Sequence, residues 1–257
     1  GHSQWPCVFG SSVKGALRTK AEDKLGKDNE SIRYVFGPDS SSDKASEHAG
    51  ALLVSDARLL LLPVRSLTSH FKWVTCPALL QRLLRDSERL NVSLGFAVPA
   101  ATDNGIGITS AAEATDLFLE EYRFTTNTAD LTDLITELAK ITGIQSEELS
   151  DQLVIVSNDQ FSYLAKYATP VTPHIAIDNE KKVVKKGALW YEETLAPETI
   201  LYFALSAHKS RGDDMPADAI LSCITEGLFS ESPYLQLGGN ETVGMGWCKV
   251  TVLASEA

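Results

Sequence analysis

Phe9-Gly10-Ser11-Ser12-Val13-Lys14-Gly15-Ala16-Leu17-Arg18 decides how this chain reads, because it converts a strand end into a helix within a few residues. Gly10 admits a backbone conformation that a Cβ resists. Ser11 and Ser12 are helix-capping residue types whose oxygens accept from the free N–H groups of a first turn. Val13, Ala16 and Leu17 fall on one helical face, while Lys14 and Arg18, four apart, share another. Free N–H groups, a helix N-terminus and two cations make an anion site, with phosphate as the obvious occupant. An ordinary capped helix with solvated cations accounts for the same residues, so the stretch alone does not choose.

The surrounding 257 residues suffice for one large domain or two modest ones, and 44% of them are hydrophobic, ample for a core. No apolar run is long enough to cross a membrane. Gly1 to Trp5 lacks the basic flank and apolar stretch of a signal peptide. Cys7, Cys76, Cys223 and Cys248 are scattered without a Cys-x-x-Cys spacing, which argues against a zinc knuckle and for a reduced, cytoplasmic setting. A net charge of −11 argues against a generally adhesive nucleic-acid binder. The charge is uneven, however. Lys14, Arg18, Lys20, Lys24, Lys27 and Arg33 cluster near the start, whereas residues 113–151 carry ten acids against Arg123 and Lys140. A basic face on an acidic body fits a defined phosphate track.

Apolar periodicity and turn residues predict a helix over 13–25 stopped by Gly26, a turn at Phe36-Gly37-Pro38, and a polar, serine-rich mobile loop over 39–47. Two buried strands are predicted over 51–55 and 58–63, or one strand bent at Asp56-Ala57, and another over 71–75, then a helix over 78–90 with Pro77 in its first turn. Residues 91–112 are ambiguous. An acidic amphipathic helix follows over 129–141, then a strand over 153–156 and a helix over 159–168. Further strands are expected over 199–207, 234–237 and 247–253, with a helix over 216–228.

Several motifs stand out within this frame. Arg65 ends an apolar run, where an exposed cation meets either a phosphate or a carboxylate. His174-Ile175-Ala176-Ile177 and Val183-Val184 flank Asp178-Asn179-Glu180-Lys181-Lys182, a β-hairpin with a charged tip. Such a hairpin can wedge between bases or be a surface flap, and His174 by itself reads as a structural histidine. Glu192 and Glu193 follow Trp190 and Tyr191; they could hold a metal, polarise a nucleophile or simply end an exposed strand. Leu237-Gly238-Gly239-Asn240-Glu241-Thr242-Val243-Gly244-Met245-Gly246 is a glycine-rich loop that lets another backbone come close. It is neither a Walker motif nor a Rossmann fingerprint, since it leads into a strand.

Taken in series, these pieces resemble one family. Residues 9–18 are similar to the Gly-Ser-Ser-Leu-Lys-Gly-x-x-Arg signature of the RAMP proteins of CRISPR systems, and 238–246 to their C-terminal glycine-rich loop. Ser55-Asp56-Ala57-Arg58, Pro63-Val64-Arg65-Ser66-Leu67, Trp73-Val74-Thr75-Cys76-Pro77 and Leu189-Trp190-Tyr191-Glu192-Glu193 resemble the repeated backbone subunit of the Cmr, or type III-B, effector. The resemblance implies a single α+β RAMP domain over 1–257. It has a modified ferredoxin-like, RRM-like palm, helical fingers and loop insertions over about 36–150, and a thumb hairpin over about 170–188. Members stack head to tail along a guide RNA (crRNA) beside other Cmr subunits, and cut complementary target RNA with a divalent metal, Mg by expectation.

By this resemblance Gly10, Ser11, Ser12, Lys14 and Arg18 bind the guide. So do Arg65, Ser66, Gly238, Gly239, Asn240, Thr242, Gly244 and Gly246. His174, Ile175, Lys181 and Lys182 belong to the thumb, and Glu192 is a supporting acid. His2-Ser3-Gln4-Trp5-Pro6 resembles the His-Thr-Gly-aromatic-Pro that follows the family's first strand and catalytic loop. The first palm strand and the cleaving aspartate are therefore expected upstream of residue 1, with no catalytic or metal-binding residue assigned in 1–257. A non-catalytic architectural RAMP subunit is the alternative, and a metabolic enzyme with a phosphate loop a third class. The leading reading requires the turns at 10–18 and 238–246 to meet in space.

Overall fold

The computed structural model describes residues 5–38, 49–100, 103–110, 116–211 and 214–254. Strand β1 (Cys7–Val8) leads into helix α1 (Gly10–Leu25), which buries Val13, Leu17 and Ala21 along one stripe and stops at Gly26, φ 86°. Helix α2 (Glu30–Phe36) is capped by the Asn29 side chain, which accepts from the Ser31 N–H. Strands β2 (Leu52–Val54), β3 (Ala57–Arg65) and β4 (Phe71–Thr75) follow, then α3 (Pro77–Arg89). Next come β5 (Ile106–Thr109), β6 (Leu117–Leu119), β7 (Tyr122–Thr128), α4 (Thr132–Thr142), α5 (Ser146–Gln152), β8 (Leu153–Ile155) and α6 (Asn158–Tyr167). The C-terminal third contains β9 (Val171–Asp178), β10 (Val183–Glu193), β11 (Ile200–Tyr202), β12 (Leu205–Ala207), α7 (Ala217–Thr225), β13 (Tyr234–Gln236) and β14 (Trp247–Lys249).

The fold is mixed α+β around an eight-stranded sheet ordered β1-β3-β4-β8-β5-β7-β6, with β11 on a further edge of β3. β4 and β8 run parallel, as do β5 and β7; the other pairs are antiparallel. β3 is buried over nearly its whole length, as a strand covered on both faces should be. Leu59, Leu62 and Val64 pack with Phe161 and Leu164 of α6 on one face. Leu60 and Leu61 pack with Leu80, Leu134, Leu138 and Leu149 on the other, beneath α3, α4 and α5. Alternation breaks at Leu60-Leu61, where the β3–β11 register also shifts. A separate cluster unites Val13 and Leu17 of α1 with Ile32, Val35, Ile220, Ile224 and Leu235.

Several expectations change. α1 begins at Gly10 rather than Val13, so Ser11 and Ser12 lie inside its first turn and cap nothing; the capping position is Phe9, without a side-chain bond. Gly10 is needed for space, not for positive φ, because a Cβ there would lie 2.7 Å from the Val54 carbonyl oxygen. The strand expected over 199–207 is two strands in different sheets, β11 on β3 and β12 on β2. The span 36–150, expected as helical fingers and loops, supplies β2 to β7 as well as α3 and α4. Residues 103–128, unassigned from the sequence, provide three of those strands. The loop expected over 39–47 and the motif residues His2, Ser3 and Gln4 lie outside the described residues.

Candidate nucleic-acid interface

The α1 N-terminus abuts the turn between β2 and β3. The Gly10 N–H donates to Asp56 Oδ1 at 2.7 Å, so a carboxylate of the chain itself meets the positive end of the helix. Lys14 donates from Nζ to the Leu52 carbonyl at 2.9 Å. Burial, and then the neighbouring Arg18 charge, hold the Lys14 ammonium below its ordinary pKa. Arg18 reaches Glu22 through Nε at 2.7 Å and the Gly37 carbonyl through Nη1 at 3.1 Å. Both cations are thus part-buried and engaged with the protein's own oxygens, whereas Ser11 and Ser12 stand exposed.

Farther along α1, Lys20 donates to the Ser232 carbonyl at 3.0 Å and Lys24 pairs with Glu231 at 2.9 Å. Those bonds, together with Leu235 and Leu237 packed in the cluster that holds Val13 and Leu17, join α1 to the strand preceding the glycine-rich loop. The loop is the connection of the β13–β14 hairpin. Gly238, Asn240, Gly244 and Gly246 have φ of 89°, 59°, 84° and 75°, and Glu241–Val243 form one 3-10 turn that includes Thr242. A Cβ on Gly246 would sit 2.0 Å from the Leu237 carbonyl oxygen, so the backbone that comes close is the hairpin's own.

Strands β9 and β10 pair into a projecting hairpin, closed at its tip by Asp178 Oδ1 accepting from the N–H groups of Glu180 and Lys181. Its register shifts around Gly187. Ile175, Ile177, Val183, Val184 and Leu189 are exposed, an unusual concentration of apolar surface. Lys181 and Lys182 are exposed at the tip. At the base, His174 stacks on its cross-strand partner Trp190 with ring centroids 5.5 Å apart. Its Nε2 lies 3.3 Å from Glu192 Oε2 but makes no hydrogen bond. Glu192 Oε1 accepts from Asn240 Nδ2 at 2.6 Å, linking the hairpin to the glycine-rich loop.

Arg65 stands elsewhere. Its guanidinium pairs with Glu120 at 2.5 Å while remaining largely exposed, so the carboxylate alternative describes it here. Ser66 bridges to Leu119, and its hydroxyl lies 3.1 Å from that of Thr68.

The model of the RAMP superfamily matches residues 2–249. The chain belongs to the RAMP superfamily. Among related RAMP proteins, the CRISPR system Cmr endoribonuclease Cmr4 of Pyrococcus furiosus is 33% identical over 98% of this chain and 85% of its own length. The CRISPR system CMR subunit Cmr4 of Saccharolobus solfataricus is 26% identical over 94% of this chain and 83% of its own. The crystal structure of oligomeric Cmr4 from Pyrococcus furiosus superposes with a TM-score of 0.72 at 28% identity, covering 96% of this chain and 87% of that one.

In this RAMP chain the sequence missed the Asp56 contact to α1, although Asp56 lies in a quoted motif. It also named Glu192, His174 and Asn240 separately without pairing them. The Gly10–Asp56 and Glu192–Asn240 bonds leave no local pattern, since each joins residues more than forty positions apart, while His174 and Glu192 meet only through the cross-strand register of the hairpin. Among the described residues no three His, Cys, Asp or Glu side chains converge into a set that could hold a metal ion. Glu192 faces an amide and an imidazole rather than further carboxylates. The described residues therefore do not fit a divalent-ion site.

Proposed function

We propose that this chain is the guide-RNA-binding backbone subunit of a type III-B CRISPR effector, and that in the assembled complex it positions complementary target RNA for cleavage. The observation that carries the reading is the 33% identity to a Cmr endoribonuclease running over 98% of the chain. The partners are then crRNA, target RNA, further copies of the chain and other Cmr subunits, in the cytoplasm. No described helix is long and apolar enough to cross a membrane.

In this reading the main sheet and α1 are the palm and the β9–β10 hairpin is the thumb. The hairpin's exposed Ile175 and Ile177 supply the apolar surface a wedge against a duplex needs, and Lys181 and Lys182 meet phosphates. Ser11, Ser12 and the turn formed by Gly238, Gly239, Asn240, Thr242, Gly244 and Gly246 hold the guide by backbone and shape, leaving its bases to read the target. Lys14 and Arg18 contribute by exchanging carbonyl partners for phosphate oxygens, and Arg65 by exchanging Glu120. The divalent ion of target cleavage is a requirement of the complex.

The test is a salt titration of guide binding by the assembled complex, comparing wild type with Arg65→Ala and with charge reversal at Lys14 and Arg18. Each lost phosphate contact lowers the log–log salt slope by about 0.7. Unchanged slopes rule out these cations as guide contacts. Cutting of complementary RNA at regular intervals separates the nuclease reading from a purely architectural one.

A further inference from the structure

A cavity of about 430 Å³ opens between β7 and α6, lined by Asn104, Tyr122, Phe124, Asp159, Gln160 and Tyr163 among others. It belongs to none of the contacts discussed above. The Tyr122 and Tyr163 hydroxyls are 2.6 Å apart, and their rings meet edge to face with centroids 5.3 Å apart. Tyr167 continues the series at 4.7 Å from Tyr163, and Lys166 Nζ lies 5.0 Å from the Tyr167 ring centre. All three rings are substantially exposed, at 41%, 42% and 59%. Their mutual contacts fix them in place, so a planar ligand stacking on them immobilises little further.

Charge decides what kind of ligand fits. Arg123 is paired with Asp116 at 2.7 Å and Arg65 with Glu120 at 2.5 Å, so the nearest guanidiniums are already neutralised. Asp159 lines the cavity without an ion pair among the described residues. A phosphate in the cavity itself would have to displace Asp116 from the lining Arg123 and would face the Asp159 carboxylate. A neutral heteroaromatic ring would find π-faces, amides and a carboxylate acceptor. Asn104 accepts from the Ser157 hydroxyl through Oδ1 at 2.7 Å, which leaves its NH2 group to donate. A donor and an acceptor can serve the amine and ring nitrogen of adenine or cytosine and equally the N3–H and carbonyl oxygen of uracil, so the aromatic faces and not the base edge carry recognition.

Position supplies the access. The turn between β6 and β7 is fastened to the end of β3, with the Glu120 N–H donating to the Arg65 carbonyl at 2.9 Å and Ser66 bridging Leu119. A strand passing Arg65 and Ser66 would therefore reach Tyr122 within one turn of protein backbone.

We propose that this tyrosine-walled cavity is a stacking site for one unpaired base of single-stranded RNA. The proposal rests on the reading that RNA passes Arg65. The experiment measures affinities of oligo(A), oligo(C) and oligo(U) for the purified full chain and for its assembled complex, across a salt series. Tyr122→Ala and Tyr163→Ala are expected to weaken binding of all three oligomers by about tenfold with no change in salt slope, since stacking releases no counterions. Tyr163→Phe keeps the ring and should retain the affinity, which separates stacking from misfolding. Wild-type affinity in both alanine variants, a lowered salt slope in either, or altered self-association with unchanged RNA affinity would each overturn the proposal. If the wild type binds no RNA at all, the functional reading fails instead.

Discussion

Two glycines in the same helix should respond to alanine in opposite directions. A Cβ on Gly10 would lie 2.7 Å from the Val54 carbonyl oxygen and 3.0 Å from the Ser55 carbonyl carbon, all of it backbone that cannot rotate away. Relief requires α1 to back off from the β2–β3 turn, which stretches the 2.7 Å bond from the Gly10 N–H to Asp56. Weakening a hydrogen bond to a charged group costs about 1.5–3 kcal/mol. Overpacking adds about 1–3 kcal/mol, and the helix propensity gained by alanine returns up to about 1 kcal/mol. The net is a destabilisation of about 1.5–6 kcal/mol. For a chain of this size that lowers the melting temperature by about 3–24 °C. Gly15 lies inside the same helix, and a Cβ there meets nothing within 4 Å. Gly15→Ala should therefore stabilise by about 0.5–1 kcal/mol. Thermal melts followed by circular dichroism decide it. A Gly10→Ala protein that melts with or above wild type would refute the close approach of helix and turn. Equal losses at both positions would show that flexibility, not space, is what glycine supplies.

Asn240→Ala removes the amide that ties the hairpin to the glycine-rich loop, worth about 1 kcal/mol for an exposed bond to a carboxylate. Amide exchange over 171–193 should quicken several-fold while α1 is unaffected, and unchanged exchange would mean the tie is idle. The Tyr202 phenol is pushed up to about 12 by burial and by its hydrogen bond to Asp86, and the Cys76 thiol to about 11 by burial. Both raised values favour the protonated form in the fold. Their stabilisation is complete below the ordinary values of 10.0 and 9.0 and is lost as pH climbs through about 12 and 11. Alkaline melts of Tyr202→Phe should fall less steeply between pH 10 and about 12 than those of wild type, and parallel curves would contradict the assignment. Toward thiol reagents, exposed Cys7 and Cys223 should react at once and buried Cys76 only on unfolding; early labelling of Cys76 would show that its cover opens.

What was legible in the sequence was what local periodicity and turn chemistry dictate. The stripe of Val13 and Leu17, the stop at Gly26, Pro77 opening α3 and the hairpin around Asp178 all depend on neighbours a few residues away. β5, β6 and β7 escaped because their strand character is tertiary. β5 contains Gly107, which tightly abuts Leu117 and Val154, and β7 alternates exposed threonines with only Phe124 and Thr126 buried. Even the family signature carried its information unevenly. It located α1 correctly, yet the spacing of Lys14 and Arg18 could not reveal that both already hold carbonyl groups of neighbouring elements.

That double engagement bears on how a guide could be gripped. A cation that caps the protein's own carbonyls is held in one rotamer at no cost to the incoming ligand, but it must give up those bonds to meet a phosphate. In the glycine-rich turn the N–H groups of Val243, Gly244 and Met245 are likewise engaged, with the Asn240 and Glu241 carbonyls, whereas Gly238 and Gly239 stand exposed. Under the proposed function, the sequence-independent grip on RNA should come first from the exposed backbone around Gly238 and Gly239 and from Ser11 and Ser12. Lys14 and Arg18 would join only after releasing the Leu52 and Gly37 carbonyls that seat α1 against β2 and the end of α2.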